Sequence, residues 1–178
     1  MDGEGAAYIT AVVIAVEGDF MTEAELKKHL DEADKGPRKL AAAVSGLADK
    51  VLRYRSSPDK WCALEIVGHL ADVEIIYSYR LRQMLADKKP VIAPIQVDDW
   101  GRNLGYLEAA PAELVAQFGL NRHHNLRLLR RISLDDLKKS AYHPERQAEV
   151  TVEQIVINFA VHDANHIQQI ERLKKQAK

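Results

Sequence analysis

A chain of 178 residues, 47% hydrophobic and 29% charged, is long enough for one domain with a real core, and its composition excludes a disordered chain. The formal net charge of −1 gives no global field to draw nucleic acid or an anionic membrane. The single cysteine, Cys62, excludes an internal disulfide framework and fits a reducing, cytoplasmic setting, where its thiol reads as inert packing.

In chain order, the first feature is an apolar run at 6–16 (AAYITAVVIAV), too short to span a bilayer. Asp2 and Glu4 precede it in place of basic residues, so it lacks the charged start of a signal peptide. Thr22 and Glu25, just after Met21, have the spacing of a capping box. Residues 1–20 therefore read as an N-terminal extension and 21–178 as the domain. An apolar run of this size is expected to pack on the domain or against a second subunit.

Four helical stretches follow, with no repeat and no low-complexity tract. The first covers about 23–48 and contains Gly36-Pro37, which predicts a kink or break. The second covers about 58–87, entered by Ser57-Pro58 as N-cap and first helical residue. The third runs from Pro111 to about Ile132. The fourth opens at Thr151, with Gln154 completing a second capping box, and ends near Lys175. Between the second and third lies a connection, 88–110, with two prolines and two glycines. Loops of that length tend to be functional or to cross over a bundle. The expected fold is all-α, a four-helix bundle with a long crossover connection between helices 2 and 3. Strand signals are confined to the N-terminal run and Val91–Val97.

Seven histidines sort by helix face. In the fourth helix, Ile155, Phe159, His162, His166, Ile170 and Leu173 recur at steps of three and four, the pattern of a core-facing stripe. His162 and His166 lie one above the other on that face. Ile66, His69, Val73 and Ile76 trace a similar stripe in the second helix. Neutral imidazoles so placed can share one metal ion at about 2.0–2.1 Å each. They can equally be core histidines, each with its own hydrogen-bond partner. The spacing alone leaves both readings open.

Other patterns are excluded. His162-Asp163-Ala164-Asn165-His166 lacks the glutamate of the metalloprotease HExxH, and no Glu-x-x-His pair of the di-iron bundles occurs. His123 and His124 are adjacent, so they point about 100° apart. They sit among Arg122, Arg127, Arg130 and Arg131, a run that reads as a solvated face. His143-Pro144 reads as a turn before the last helix, with His143 a candidate to line the site.

The segment Trp61-Cys62-Ala63-Leu64-Glu65-Ile66-Val67-Gly68-His69-Leu70-Ala71-Asp72-Val73-Glu74 resembles the second-helix signature of the DinB/YfiT family of metal-binding bundles. Thr151–Ile155 followed by His162–Ile170 resembles its last helix, and the likeness extends from about Met21 to the C-terminus. The resemblance implies a four-helix bundle, frequently a homodimer, with one divalent ion, zinc or nickel. Carried to matching positions, its ligands are His69, His162 and His166. It further implies a metal-dependent hydrolase or a thiol-dependent S-transferase acting on a small molecule, with a low-molecular-weight thiol as partner in the second case. Three protein ligands leave a coordination position open, as in catalytic sites. The alternative is a non-catalytic metal-binding or interaction bundle. Trp100, Asn103 and Tyr106, with Asp98 and Asp99, are expected to wall a substrate pocket, and Glu65 and His143 to support the site from behind. No general base is identifiable. Two departures concern loops: Cys62 stands where the family commonly has a capping serine, and Glu145-Arg146-Gln147 replaces a glycine-containing turn.

Overall fold

The computed structural model describes residues 20–177; the apolar run at 6–16 lies outside the described residues. Helix α1 (Glu23–Ala33) starts at the expected capping box: the Thr22 N–H donates to Glu25 Oε2 at 2.8 Å, and the Glu25 N–H donates to Thr22 Oγ1 at 3.3 Å. The chain breaks at Asp34-Lys35 and resumes as α2 (Gly36–Val44), with Pro37 in its first turn, where a missing N–H costs nothing. A single turn, α3 (Asp49–Leu52), follows Gly46, whose φ of 68° places it in the left-handed region.

Helix α4 (Ala63–Ala86) begins five residues later than the Ser57-Pro58 signal predicts. Ser57 instead closes a turn, its carbonyl accepting the Lys60 N–H at 3.0 Å. Cys62 takes the N-cap position, and the Glu65 carboxylate reaches back to its backbone N–H at 2.8 Å. The glutamate half of the capping box thus starts the helix in spite of the weak thiol partner.

The long connection carries a short helix of its own, α5 (Val97–Asn103). Helix α6 (Pro111–Leu129) comes next, then a 3₁₀ turn at Asp135–Lys138. A hairpin that the sequence pattern does not reveal follows, β1 (Ser140–His143) against β2 (Ala148–Thr151), antiparallel with Ser140 opposite Thr151 and His143 opposite Ala148. The expected strand at Val91–Val97 reduces to one bridge, Val91 to Tyr142, with Ile92 N–H donating to the Tyr142 carbonyl at 2.8 Å. The second capping box opens α7 (Val152–Gln176), where Gln154 N–H donates to Thr151 Oγ1 at 3.2 Å.

Side-chain pairs fix the helix directions. Asp72 meets Gln117 and Glu74 meets Asn125, so α4 and α6 run parallel. Their parallel course requires the crossover connection. Met21 reaches Glu153, and Leu40 and Ala43 pack with Ile170 and Leu173, so α1–α2 runs parallel to α7. Tyr77 meets Phe159 while His69 meets His162, which sets α4 antiparallel to α7. The result is an up-down-down-up four-helix bundle.

Its core falls into two apolar clusters. One gathers Leu26, Leu30, Val73, Tyr77, Leu81, Leu126, Leu129, Val156 and Phe159; the other gathers Leu40, Ile66, Leu70, Leu114, Phe118 and Ile170. Between them lies a buried polar layer made of His69, Glu74, Arg122, Asn125, His162, Asp163 and His166. That layer is where the chemistry sits.

Candidate metal centre

All three histidines predicted from the helix stripes point into the polar layer and are almost wholly buried. Their ligating nitrogens lie within 4.8 Å of one another. His69 Nε2 and His162 Nε2 are 3.3 Å apart. A tetrahedral ion with nitrogen ligands at about 2.0–2.1 Å needs neighbouring nitrogens about 3.3–3.4 Å apart, so this pair is already spaced for one. The rings are tilted rather than stacked, with centroids at 5.2 Å (His69–His162), 4.8 Å (His69–His166) and 4.6 Å (His162–His166). A neutral, all-imidazole donor set suits zinc, nickel and their neighbours.

Electrostatics keep the donors neutral. Burial, followed by the nearby imidazoles, holds His69 and His162 well below the ordinary imidazole range. Burial takes His166 down to about 4, against a hydrogen bond to Gln169 that acts the other way. That bond joins His166 Nδ1 to Gln169 Oε1 at 3.1 Å. An amide oxygen only accepts, so Nδ1 holds the proton and Nε2 keeps its lone pair for an ion, the arrangement by which outer groups orient metal ligands.

A cleft of about 760 Å³ reaches the cluster at His166. Arg55, Lys60, Trp61, Glu65, Asp98, Arg102, Gln169 and Arg172 line it. The Trp61 ring stands edge-on to His69 at 5.0 Å. Helix α5 rests on the same indole: a Cβ on Gly101 would sit 3.2 Å from it, so glycine permits the close approach. On the other side of α5 a smaller cleft, about 350 Å³, is lined by Tyr77, Arg80, His143 and Arg146.

The model of the DinB superfamily matches residues 32–170. The chain belongs to the DinB superfamily. Among its relatives, "Putative metal-dependent hydrolase YfiT" of Bacillus subtilis (strain 168) is 24% identical over 157 residues, 88% of each chain. A "Putative metal-dependent hydrolase" of Bacillus cereus (strain 03BB102) is 25% identical over 155 residues, 87% of this chain and 88% of its own. The solved structure of YfiT from Bacillus subtilis matches with a TM-score of 0.84 at 23% identity, covering 89% of this chain and 91% of that one. It is described as "a probable metal-dependent hydrolase with an unusual four-helix bundle topology", and the likeness shows the fold.

Within this DinB bundle the other predicted site residues take varied places. Glu65 is buried at the cleft wall, accepting from Arg55 at 2.5 Å and from the Cys62 N–H. Burial pushes the Cys62 thiol up, which suits packing rather than reactivity. His143 lies in β1 and lines the smaller cleft, away from the three histidines. There burial, then Arg146 and Arg80, hold its imidazole below the ordinary range. Of the five residues expected to wall the pocket, Asp98 and Asp99 line the clefts, and Trp100, Asn103 and Tyr106 line neither. Trp100 packs against the first apolar cluster, and Asn103 is exposed. Tyr106 lies flat over Gly68, where a Cβ would come within 2.4 Å of the ring, and donates its hydroxyl to Asp72 at 2.7 Å. Arg102, from the same segment, lines both clefts beside Asp98.

Arg122 corrects the reading of the basic run as a solvated face. Its side chain is 1% exposed. One guanidinium nitrogen donates to Asp163 Oδ2 at 2.7 Å and to the Ala33 carbonyl at 2.8 Å; the other donates to Glu74 Oε1 at 2.7 Å and Asp163 Oδ1 at 3.0 Å. Asn125 adds a bond to Glu74 Oε2 at 3.0 Å. Burial works against the cation, but Asp163 and Glu74 outweigh it and hold Arg122 charged. For the carboxylates burial is the larger influence and pushes both up, with Arg122 opposing. These directions are compatible: one guanidinium cannot offset the desolvation of two carboxylates. Neither the bond from His166 to Gln169 nor the burial of Arg122 was expected. Gln169 carried a signal, its i+3 position from His166; Arg122 was masked by the arginines around it.

Proposed function

We propose that this DinB-superfamily protein is a metal-dependent enzyme acting on a small molecule, with His69, His162 and His166 as ligands of one divalent ion, zinc or nickel. The observation that carries this reading is a buried three-imidazole cluster with its nitrogens spaced for one ion, opening at His166 onto a cleft of about 760 Å³. A purely structural ion would be sealed by a fourth protein ligand, and among the described residues the cluster offers three. When bound, such an ion lowers the pKa of a coordinated water or thiol and so supplies a nucleophile at neutral pH.

The chain's own residues do the rest. Gln169 holds the His166 proton on Nδ1. Trp61 walls His69 and keeps water from that side, while α5 roofs the cleft by resting Gly101 on the indole. Arg55 neutralises Glu65 at the wall. Arg102, Lys60 and Arg172 give the cleft cationic groups for a polar substrate.

Hydrolysis is the reading favoured by the names of the relatives. One observation supports thiol transfer: the carboxylates nearest the cluster are committed, Glu65 to Arg55 and Cys62, and Asp163 and Glu74 to Arg122. A hydrolase would also need a side chain to hand a proton to the leaving group, a task these committed carboxylates are not free to perform. A thiol, more acidic than water, would make a smaller demand for acid–base help. X-ray absorption on the zinc-loaded protein with a small thiol such as 2-mercaptoethanol separates the two. Sulfur at about 2.3 Å from the ion supports the transferase, and nitrogen and oxygen alone with turnover of an ester or amide support the hydrolase. An ion that admits neither thiol nor water would end the enzyme reading.

A further inference from the structure

We propose that Arg122 is a positioning residue for the three-histidine centre, clasping the two helices that carry all of its ligands. The affinity arm of this inference rests on the metal reading above; its geometric arm does not. Asp163 follows His162 directly on α7, and Glu74 lies five residues after His69 on α4. The Arg122 guanidinium bonds both carboxylates, gripping Asp163 with two nitrogens at 2.7 and 3.0 Å. A two-pronged grip of this kind admits one orientation, so it sets the separation of the helices and their rotation together.

Further contacts hold the guanidinium, although its Nε is buried without a hydrogen-bond partner among the described residues. Phe118 and Phe159 hold its plane, with their ring centroids 4.9 and 4.6 Å from Cζ. Ala33 ties it to the end of α1. Gly36 leaves room for it: a Cβ there would fall 2.4 Å from Asp163 Oδ2 and 2.9 Å from the Arg122 nitrogen.

Stability does not explain the arrangement. Burying three charges is expensive, and well-packed apolar side chains of similar volume commonly serve a fold as well or better. What an apolar filling lacks is direction. The 3.3 Å separation of His69 and His162 depends on the relation between α4 and α7, and an ion's affinity is sensitive to small departures from it.

The test compares wild type with Arg122→Lys and with a triple apolar variant, Arg122→Met, Glu74→Leu and Asp163→Leu. Zinc affinity is measured by competition with a chelator, and geometry by the visible absorption of the cobalt-loaded protein. We expect zinc to bind 10–100-fold more weakly to Arg122→Lys, with an altered cobalt spectrum. The triple variant is expected to melt at or above the wild-type temperature and still not recover affinity. Wild-type affinity and spectrum in the triple variant would overturn the proposal and leave Arg122 as a structural staple; should Arg122→Lys fail to fold, the triple variant decides alone. If wild type takes up no zinc, the metal reading falls, and the clasp is judged by proton–proton contacts between the His69 and His162 rings in the metal-free protein. Their loss in the triple variant supports it, and their retention overturns it.

Discussion

At His166 the two ring nitrogens have separate tasks, one donating to Gln169 and the other left for an ion. Replacing Gln169 with Ala removes the bond that sets the tautomer, and zinc affinity should fall about 10–100-fold while the fold stays intact. Calorimetric titration of the variant checks this; unchanged affinity would mean that the orientation is set elsewhere. The imidazoles also couple the site to pH. His166 is held at about 4 against an ordinary 6.5, so the unfolded chain takes up its proton first on acidification. Its folded pKa is depressed, so its contribution is fully present above about pH 6.5 and is lost as pH falls toward 4. For His166 alone this amounts to about 3 kcal/mol. The raised carboxylates Glu74 and Asp163 act in the opposite sense, so the check is a difference. Melting of metal-free wild type should drop more steeply between pH 6.5 and 4 than that of His166→Phe. At this scale the histidines were legible because i, i+4 spacing on an apolar stripe is a local pattern. The partnership of Arg122 with Glu74 and Asp163 joins residues 48 and 41 positions apart, and no local pattern encodes it.

Among the elements, both capping boxes and the break at Gly36-Pro37 were readable because each is written in a few adjacent residues. The start of α4 was misplaced because Ser57-Pro58 carries a stronger local signal than Cys62 with Glu65, although the latter forms the cap. The hairpin escaped notice because its strands are four residues each, too short for alternation to stand out. Its turn carries a cost. Gln147 has φ 50°, in the left-handed region that side chains avoid. Gln147 is exposed, so Gln147→Gly should stabilise the protein by about 0.5–1 kcal/mol, measured by urea unfolding. No gain would show that the turn is strain-free. The long connection was expected to wall the site through Asp98, Asp99, Trp100, Asn103 and Tyr106. Of these, the helical turn of α5 presents Asp98 and Asp99 to the clefts, with Arg102 beside them, and lays Gly101 on Trp61. Gly68→Ala would drive a methyl into the Tyr106 ring and break its bond to Asp72. A loss of about 1–3 kcal/mol is expected by the same unfolding assay.

Across the whole molecule, the up-down-down-up winding brings α4 and α7 side by side in opposite directions. One histidine from the first then meets two from the second between two apolar clusters. The crossover was legible from the length of the connection, and the bundle from four amphipathic stretches. The division of the core was not, since it depends on which helices lie parallel. No helix among the described residues is long and apolar enough to cross a membrane. The proposed chemistry depends on the ion. Titration of metal-free protein with zinc at pH 7, followed by elemental analysis after removal of free metal, should find one ion per chain in wild type and none in the His162→Ala/His166→Ala double variant. Metal content that is the same in both proteins, or absent from wild type, would contradict it.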